Sequence, residues 1–422
     1  MPLTTETIAR MVLLCIVAAA ALGARRPARA TDLSALDAIV EKGIADQRYP
    51  GAVLLVKQRG KTLYARAFGR HTYDPTSPPT RMDTIFDLAS CSKVVGGTPA
   101  ALLMVEDGKL RLDEPVAAHW PEFASNGKQD VTLRDLLTHV SGLKAYESFG
   151  VVEKARRPEE SHVRALYRHY AALPPAYPPR SKVLYSCLNL QSVAALVQSV
   201  AGEPLEEMLR RRVWNPLGMK DTTYRPSGRR LTRCAPIATG PDGRPVRGKV
   251  HDPLAAYHGS DTLCPGNAGL FSTAGDLARY AEMILGDGER RRRRVLRPES
   301  VRLMTSVQTP PGVTTLRSVG WGVYDRPPFA GPGSVDEQRR TIGHTGYTGT
   351  WMWLDPGSGA LIILLTNRVL PSPATNGGEG RSIDAIRAAI ARVVVARLAA
   401  PRAAHGTRAR VMSNPAARNR SY

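Results

Sequence analysis

Apolar residues recur at helical spacing between Thr31 and Arg48, at Leu33, Leu36, Ile39, Val40 and Ile44, and predict an opening helix. The pattern then changes to strands. GAVLLVKQRG and KTLYARAFGR, which follow one another from Gly51, predict a pair joined by an Arg59-Gly60 turn. Near the other end SVGWGVYD, RRTIGHTG, GTWMWLDP and GALIILLTNR predict further strands, and Ile383 to Leu398 a closing helix. The middle, from about Ile85 to about Thr309, is dominated by helical patterning in AALLMVEDGKL, VTLRDLLTH, LQSVAALVQSVAG and TAGDLARYAEMIL. The simplest fold is of the α/β (α+β) class: an antiparallel sheet built from both chain ends, flanked by the N- and C-terminal helices, with a mainly helical lobe inserted. Its expected boundaries are 31–84 and 310–400 for the sheet lobe and 85–309 for the helical lobe. A cleft between them would hold a site.

The 422 residues are ample for a buried core and a cleft. Before the first helix stand Arg10, an apolar run from Met11 to Leu22, and Ala28-Arg29-Ala30, an A-x-A pattern that a signal peptidase could cut before Thr31. Residues 1–30 are therefore expected to be a cleavable export signal. The run is shorter than the roughly 20 residues of a membrane span, and Leu13-Leu14 before Cys15 lacks the small residue of a lipidation site. A periplasmic or secreted protein without a transmembrane anchor is expected.

Formal charge is +21, and about +18 would remain after cleavage. Arginines account for the clustering: Arg290 to Arg294 is unbroken, and Pro401 to Tyr422 adds five with no acid. Such runs are most simply solvated loops and, from 401 to 422, a disordered basic tail. Electrostatic contact with an anionic envelope surface is the alternative. No aromatic interleaving or nucleic-acid motif points to a specific nucleic-acid partner. Cys91, Cys187, Cys234 and Cys264 fit no zinc or redox spacing, and an even count in an oxidising compartment permits disulfides without requiring them; free thiols are the default, a Cys91–Cys187 bond is the conceivable exception, and no metal or other cofactor is implied.

Chemistry enters with Ser90-Cys91-Ser92-Lys93. On a helix a hydroxyl and an amine at i and i+3 share one face, so the amine can take the hydroxyl's proton if burial or a neighbouring cation lowers its pKa. Alone, S-x-x-K is weak. Its surroundings are not: FDLASCSKVVGGTPAALLMVEDGKLRLDEPV, TLRDLLTHVSGL from Thr132, AGLFSTAGDLARYAEMIL from Ala268 and GHTGYTGTWMWLDP from Gly343 occur in one order along nearly the whole chain. Together they resemble the serine β-lactamase and penicillin-binding protein superfamily, in its class C β-lactamase-like part, with its esterase and D-alanyl-D-alanine carboxypeptidase branches.

That resemblance implies an acylated Ser90 with Lys93 as proton acceptor. Tyr185 matches the tyrosine of Y-x-N, which relays protons to the leaving group. His344-Thr345-Gly346 matches K-T-G in its H-T-G variant. His344 would polarise the Tyr185 hydroxyl or hold a substrate carboxylate, and Thr345 and Gly346 would lie along the substrate. The N–H groups of Ser90 and Tyr347 would form the oxyanion hole. His139 resembles a residue that shapes the helical lobe. His251 and Asp252 resemble a loop that in one esterase-like branch could form the rim. One departure matters: Cys187 stands where the motif has asparagine, and Asn189 is out of register. Gly96, Gly97 and Pro99 also predict a kinked nucleophile helix.

The reading that follows is an exported serine hydrolase acting on a small-molecule ester, amide or peptidoglycan-like substrate. A D-alanyl-D-alanine carboxypeptidase or β-lactamase is the alternative within enzymes. A catalytically idle penicillin sensor or scaffold is the alternative outside them, opposed by the intact Ser90, Lys93, Tyr185 and His344.

Overall fold

The computed structural model describes residues 33–259, 263–324, 340–370 and 382–399. Leu33–Val395 form one compact unit. A second unit comprises Met1–Asp32 and Ala396–Tyr422, of which only 396–399, the end of the last helix, are described. The expected signal segment and basic tail lie outside the described residues.

Six antiparallel strands form the main sheet: β1 Gly51–Gln58, β2 Lys61–Gly69, β3 Gly322–Tyr324, β4 Thr341–Thr345, β5 Trp351–Asp355 and β6 Ala360–Thr366. Their spatial order is β2-β1-β6-β5-β4-β3. The chain ends meet where β1 pairs with β6, Leu54 opposite Leu364. Both faces of this centre are covered, which is why β6 and β5 are apolar and buried throughout instead of alternating. Val53, Leu55, Leu361, Ile363, Met352 and Leu354 point into the large core shared with the helices. Leu54, Val56, Ile362, Leu364, Trp351 and Trp353 alternate with them, are equally buried, and belong to the other face. Arg59 and Gly60, at φ 47° and 76°, close the β1–β2 hairpin in the left-handed region that two-residue turns require.

The helices that the site and sheet depend on are α1 Ala35–Ala45, α2 Thr98–Glu106, α3 Leu133–Thr138, α4 His162–Ala172, α5 Cys187–Ala201, α6 Ala274–Leu285 and α7 Asp384–Ala399, with further short helices, Phe149–Lys154 and Pro298–Thr305 among them, between these. α6 packs on β1 and β6, and α1 on β2. Gly43 of α1 leaves the space that Tyr49 and Ile386 of α7 occupy. α5 runs through the helical region with Leu188 to Gln198 buried on every side. Its N-terminus carries the candidate tyrosine segment into the site.

Two expectations change. The strand expected over SVGWGVYD shortens to Gly322–Tyr324, because the Ser318 N–H bonds Trp321 O and the Gly320 N–H bonds Leu137 O. The arginine run is no open loop: Glu289–Arg290 pairs with Arg293–Arg294 in a hairpin whose tip, Arg291 and Arg292, has φ of 50° and 62°. Arg290 pairs with Glu282 and Arg294 with Glu289. Among the described residues, no helix is long and apolar enough to cross a membrane.

Candidate active site

The turn before Ser90 is held in an uncommon shape. Ala89 has φ 44°, a left-handed conformation that a non-glycine residue adopts only when its surroundings impose it. Asp87 imposes it by accepting the Ala89 N–H at 2.8 Å, while its other carboxylate oxygen accepts the His251 N–H at 2.7 Å. From the sheet side the Thr348 hydroxyl donates to Asp87 O and the Thr350 hydroxyl to Leu88 O. Gly346 permits this approach, since a Cβ there would meet Leu88 O and the Thr350 hydroxyl. The turn that carries Ser90, the His251 loop and the end of β4 are thereby one clamped unit.

Burial pushes the Asp87 carboxyl up to about 6, against the two backbone N–H groups that favour its anion. The folded protein thus holds this proton more tightly than the unfolded chain, whose aspartates titrate near 3.9. Its contribution to stability is present below about pH 4 and is lost as pH rises through about 6. Asp87→Asn removes that dependence. Relative to the unmodified protein, the variant is expected to gain on the order of 2–3 kcal/mol in urea unfolding between pH 4 and pH 7. A constant difference at the two pH values would refute the assignment.

Ser90 and Lys93 do not sit on a regular α-helix. Ala89–Cys91 is a 3₁₀ turn and Lys93–Gly97 a π turn, and only then does α2 begin. The expected kink is this wide turn. It frees the Val94 carbonyl to accept the Tyr280 hydroxyl at 2.7 Å, and Gly96 makes room for Tyr224. Lys93 is fully buried, and its Nζ lies 3.2 Å from Ser90 Oγ, 3.6 Å from Cys187 Sγ and 2.8 Å from Asn267 O. Asn267 is fixed in turn by Gln191, which donates to its Oδ1 at 2.8 Å, and by Asp252, which accepts from its Nδ2 at 3.1 Å.

The titration of Lys93 departs from the sequence expectation. Burial lowers it, as expected, but negative charge on Cys187 and Tyr185, with a hydrogen bond to Tyr185, raises it further than burial lowers it. The balance lies above the ordinary lysine value. Lys93 therefore holds its proton as an ammonium rather than resting as a free amine.

Tyr185 lies over this ammonium, with Lys93 Nζ 4.9 Å from its ring centroid. His139 backs the ring at 4.7 Å, and His344 lies at 5.8 Å. The segment is fastened by His139, at φ 62°, whose Nδ1 accepts the Ser186 N–H at 3.1 Å and whose carbonyl accepts the Leu184 N–H. His139 thus shapes the helical region, as expected, and also touches the candidate tyrosine. Asn189, out of register in the sequence, is turned inward: its carbonyl oxygen accepts the Ser141 hydroxyl at 2.6 Å and its amide donates to His139. Cys187 alone occupies the asparagine position beside Lys93.

His344 is buried, and its Nδ1 donates to Thr345 O at 2.9 Å. Burial, then Arg317 and Lys93, hold its pKa well below the usual histidine value, so the ring is neutral and Nε2 is an acceptor without a partner. Such an atom can receive a hydroxyl proton, but it suits a substrate carboxylate poorly. His139 is kept neutral by burial and by the same two cations. At the mouth the His251 ring stacks on exposed Tyr347, centroids 5.3 Å apart and planes 10° apart, with Arg368 over the other ring at 4.9 Å. Among the described residues no group of three histidine, cysteine, aspartate or glutamate side chains is arranged to hold a metal ion. Among the described residues Cys91, Cys187, Cys234 and Cys264 form no disulfide, and the Cys91 thiol points to His344 O at 3.6 Å.

The Beta-lactamase family model matches residues 36–384. The chain belongs to this family. It is accordingly a hydrolase related to serine β-lactamases and penicillin-binding proteins. The N-acetylmuramyl-L-alanine amidase of Bacillus subtilis (strain 168) is 28% identical over 365 residues, covering 80% of this chain and 81% of the amidase. The fold is similar to that of EstCE1, a hydrolase with promiscuous acyltransferase activity, with a TM-score of 0.65, 22% identity and coverage of 85% and 97% of the two chains. It is also similar to a class C β-lactamase, with a TM-score of 0.67, 19% identity and coverage of 87% and 96%. Asp87, Asn267 and Arg317 are site residues that sequence reasoning passed over. Asp87 and Asn267 lie within or just before quoted blocks, but Arg317 lies in none.

Proposed function

We propose that this Beta-lactamase family member is an exported serine hydrolase that cleaves carboxylic esters or small amides through an acyl-Ser90 intermediate. The observation that carries the reading is the 3.2 Å approach of the buried Lys93 ammonium to Ser90 Oγ, beside Tyr185. Ser90 Oγ adds to the substrate carbonyl as its proton passes, by way of Lys93 Nζ, to the Tyr185 oxygen, which enters the step as the phenolate partner of the Lys93 ammonium. The same pair returns that proton to the departing alkoxide or amine, and water repeats the sequence to release the acid. N–H groups of Ser90 and Tyr347 are the proposed oxyanion donors, and Thr345, Gly346, Cys187 and His251 line the substrate's path. Export rests on the N-terminal signal pattern.

Cys187 decides between substrate classes. An ester expels an alkoxide that needs modest help, whereas a β-lactam with an acylamido arm needs a strong polar partner at this position. A thiol is a weak one, and each unpaired polar group costs roughly 1–3 kcal/mol. Hydrolysis of p-nitrophenyl butyrate is therefore expected to exceed that of nitrocefin in kcat/KM. Cys187→Asn is expected to raise nitrocefin turnover relative to the ester by about tenfold. Nitrocefin preferred by the unmodified enzyme would sink the ester reading. A second reading, cleavage of a peptidoglycan amide as a carboxypeptidase or amidase, is favoured by the name of the Bacillus subtilis relative. Release of an amino acid from a muramyl peptide, with no ester turnover, would select it.

A further inference from the structure

Arg317 is a cation that the chemistry above does not use. It is 9% exposed, its Nη2 donates to Gly320 O at 2.9 Å, and its Nε is buried without an acceptor. Among the described residues no carboxylate pairs with it, although arginine is normally buried only with such a partner. Its guanidinium carbon lies 5.8 Å from the Tyr185 ring centroid. An unpaired buried cation is costly unless negative charge arises beside it during function.

We propose that Arg317 is the counter-charge of Tyr185, a positioning residue that acts through the phenol by stabilising negative charge on its oxygen while the Ser90 proton is in transit. The proposal rests on the relay reading of Tyr185 given above. Two phenols face Arg317 electrostatically, Tyr185 and Tyr324. Tyr324 is held in its protonated form by burial. Tyr185 is 37% exposed, opens toward the substrate, and lies against Lys93 as well. The other titratable groups around Tyr185 are the Cys187 thiol, 3.6 Å from Lys93 Nζ, and His139 and His344, both kept neutral by burial and by the two cations. Two fixed positive charges, Lys93 and Arg317, thus lie against the phenol ring, and among the described residues no carboxylate bonds to it. Because His344 on β4 is neutral, the second charge cannot come from the H-T-G strand and is supplied from the segment before β3.

A double-mutant cycle on p-nitrophenyl butyrate and ethyl butyrate tests this. Arg317→Gln removes the charge and keeps a donor for Gly320 O. It is expected to lower kcat roughly 10- to 100-fold with KM unchanged. Arg317→Lys, which restores the charge, is expected to recover most of that loss. In a Tyr185→Phe background Arg317→Gln is expected to cost less than about threefold, because the group it acts through is gone. The acid limb of the kcat profile should move to higher pH in Arg317→Gln and stay in place in Arg317→Lys. Additive losses or a loss confined to KM would overturn the proposal, the latter by making Arg317 a substrate-binding residue. Should Arg317→Gln fail to fold, Arg317→Met, which also removes the charge, measured with and without Tyr185→Phe gives the same comparison, and equal losses in the two backgrounds overturn it. An unchanged kcat in Tyr185→Phe refutes the relay reading itself. A depressed kcat there, with normal turnover in Arg317→Gln, refutes the counter-charge alone.

Discussion

Ser90→Ala is expected to abolish turnover of every ester substrate and all covalent labelling by a fluorophosphonate or a fluorescent penicillin. Removing the hydroxyl leaves Lys93, Tyr185 and the backbone donors in place but deletes the only atom that forms the acyl bond, a loss on the order of 10⁴- to 10⁶-fold in kcat. The side chain packs little: Ser90 is half-buried, and its hydroxyl meets Lys93 Nζ at 3.2 Å. The turn that presents it is held by Asp87, Thr348 and Thr350, none of which bonds the Ser90 side chain. Folding should therefore be undisturbed, and the thermal midpoint should lie within a few degrees of the unmodified protein. Peptide mass spectrometry of the unmodified enzyme after labelling should find the adduct on the segment containing Ser90. Unchanged ester hydrolysis by a folded Ser90→Ala variant would end the acyl-Ser90 assignment. So would an adduct located on Cys187, the other nucleophile beside Lys93.

What could be read from the sequence was what local pattern determines. β1, β5 and β6 announce themselves because each is a largely apolar run bounded by turn residues, β2 because it follows β1 across the Arg59-Gly60 turn, and α5 and α6 because LQSVAALVQSVAG and TAGDLARYAEMIL carry helical patterning. The Ser90–Lys93 pair was legible because both residues lie in one short segment. Arg317 was not, since it comes to Tyr185 only through the loop before β3, whose main chain is bonded to Gln308 and Leu137. Asn267 holds Lys93 through a carbonyl, an atom every residue possesses, so no residue type could signal it. The π turn is a compromise between Gly96, Gly97, Pro99 and the packing of Tyr224 and Tyr280. The glycines and the proline suggested a kink, but its form depends on tertiary partners.

Lys93→Met separates the charge of the site from its fold. Methionine fills nearly the same volume in a fully buried position, and replacing a buried ion by an apolar side chain of similar shape is often neutral or stabilising. The variant leaves Asn267 O without its donor, which costs about 1–3 kcal/mol. The two effects oppose one another, so the thermal midpoint is expected to change by only a few degrees. Activity is expected to fall about 10²- to 10⁴-fold, the usual scale for removing an acid–base group, because the Ser90 proton loses its route out. The loss should appear in acylation, read as slower burst formation with a fluorophosphonate, since Lys93 lies against Ser90 Oγ before any substrate is bound. Lys93→Arg keeps the charge but cannot place a single compact ammonium against Ser90, Asn267 and Cys187 together. It should therefore remain nearly as slow as Lys93→Met. Recovery of most of the activity in Lys93→Arg would mean that the positive charge alone suffices and that Lys93 carries no proton. Unimpaired acylation in a folded Lys93→Met variant would remove Lys93 from the mechanism altogether.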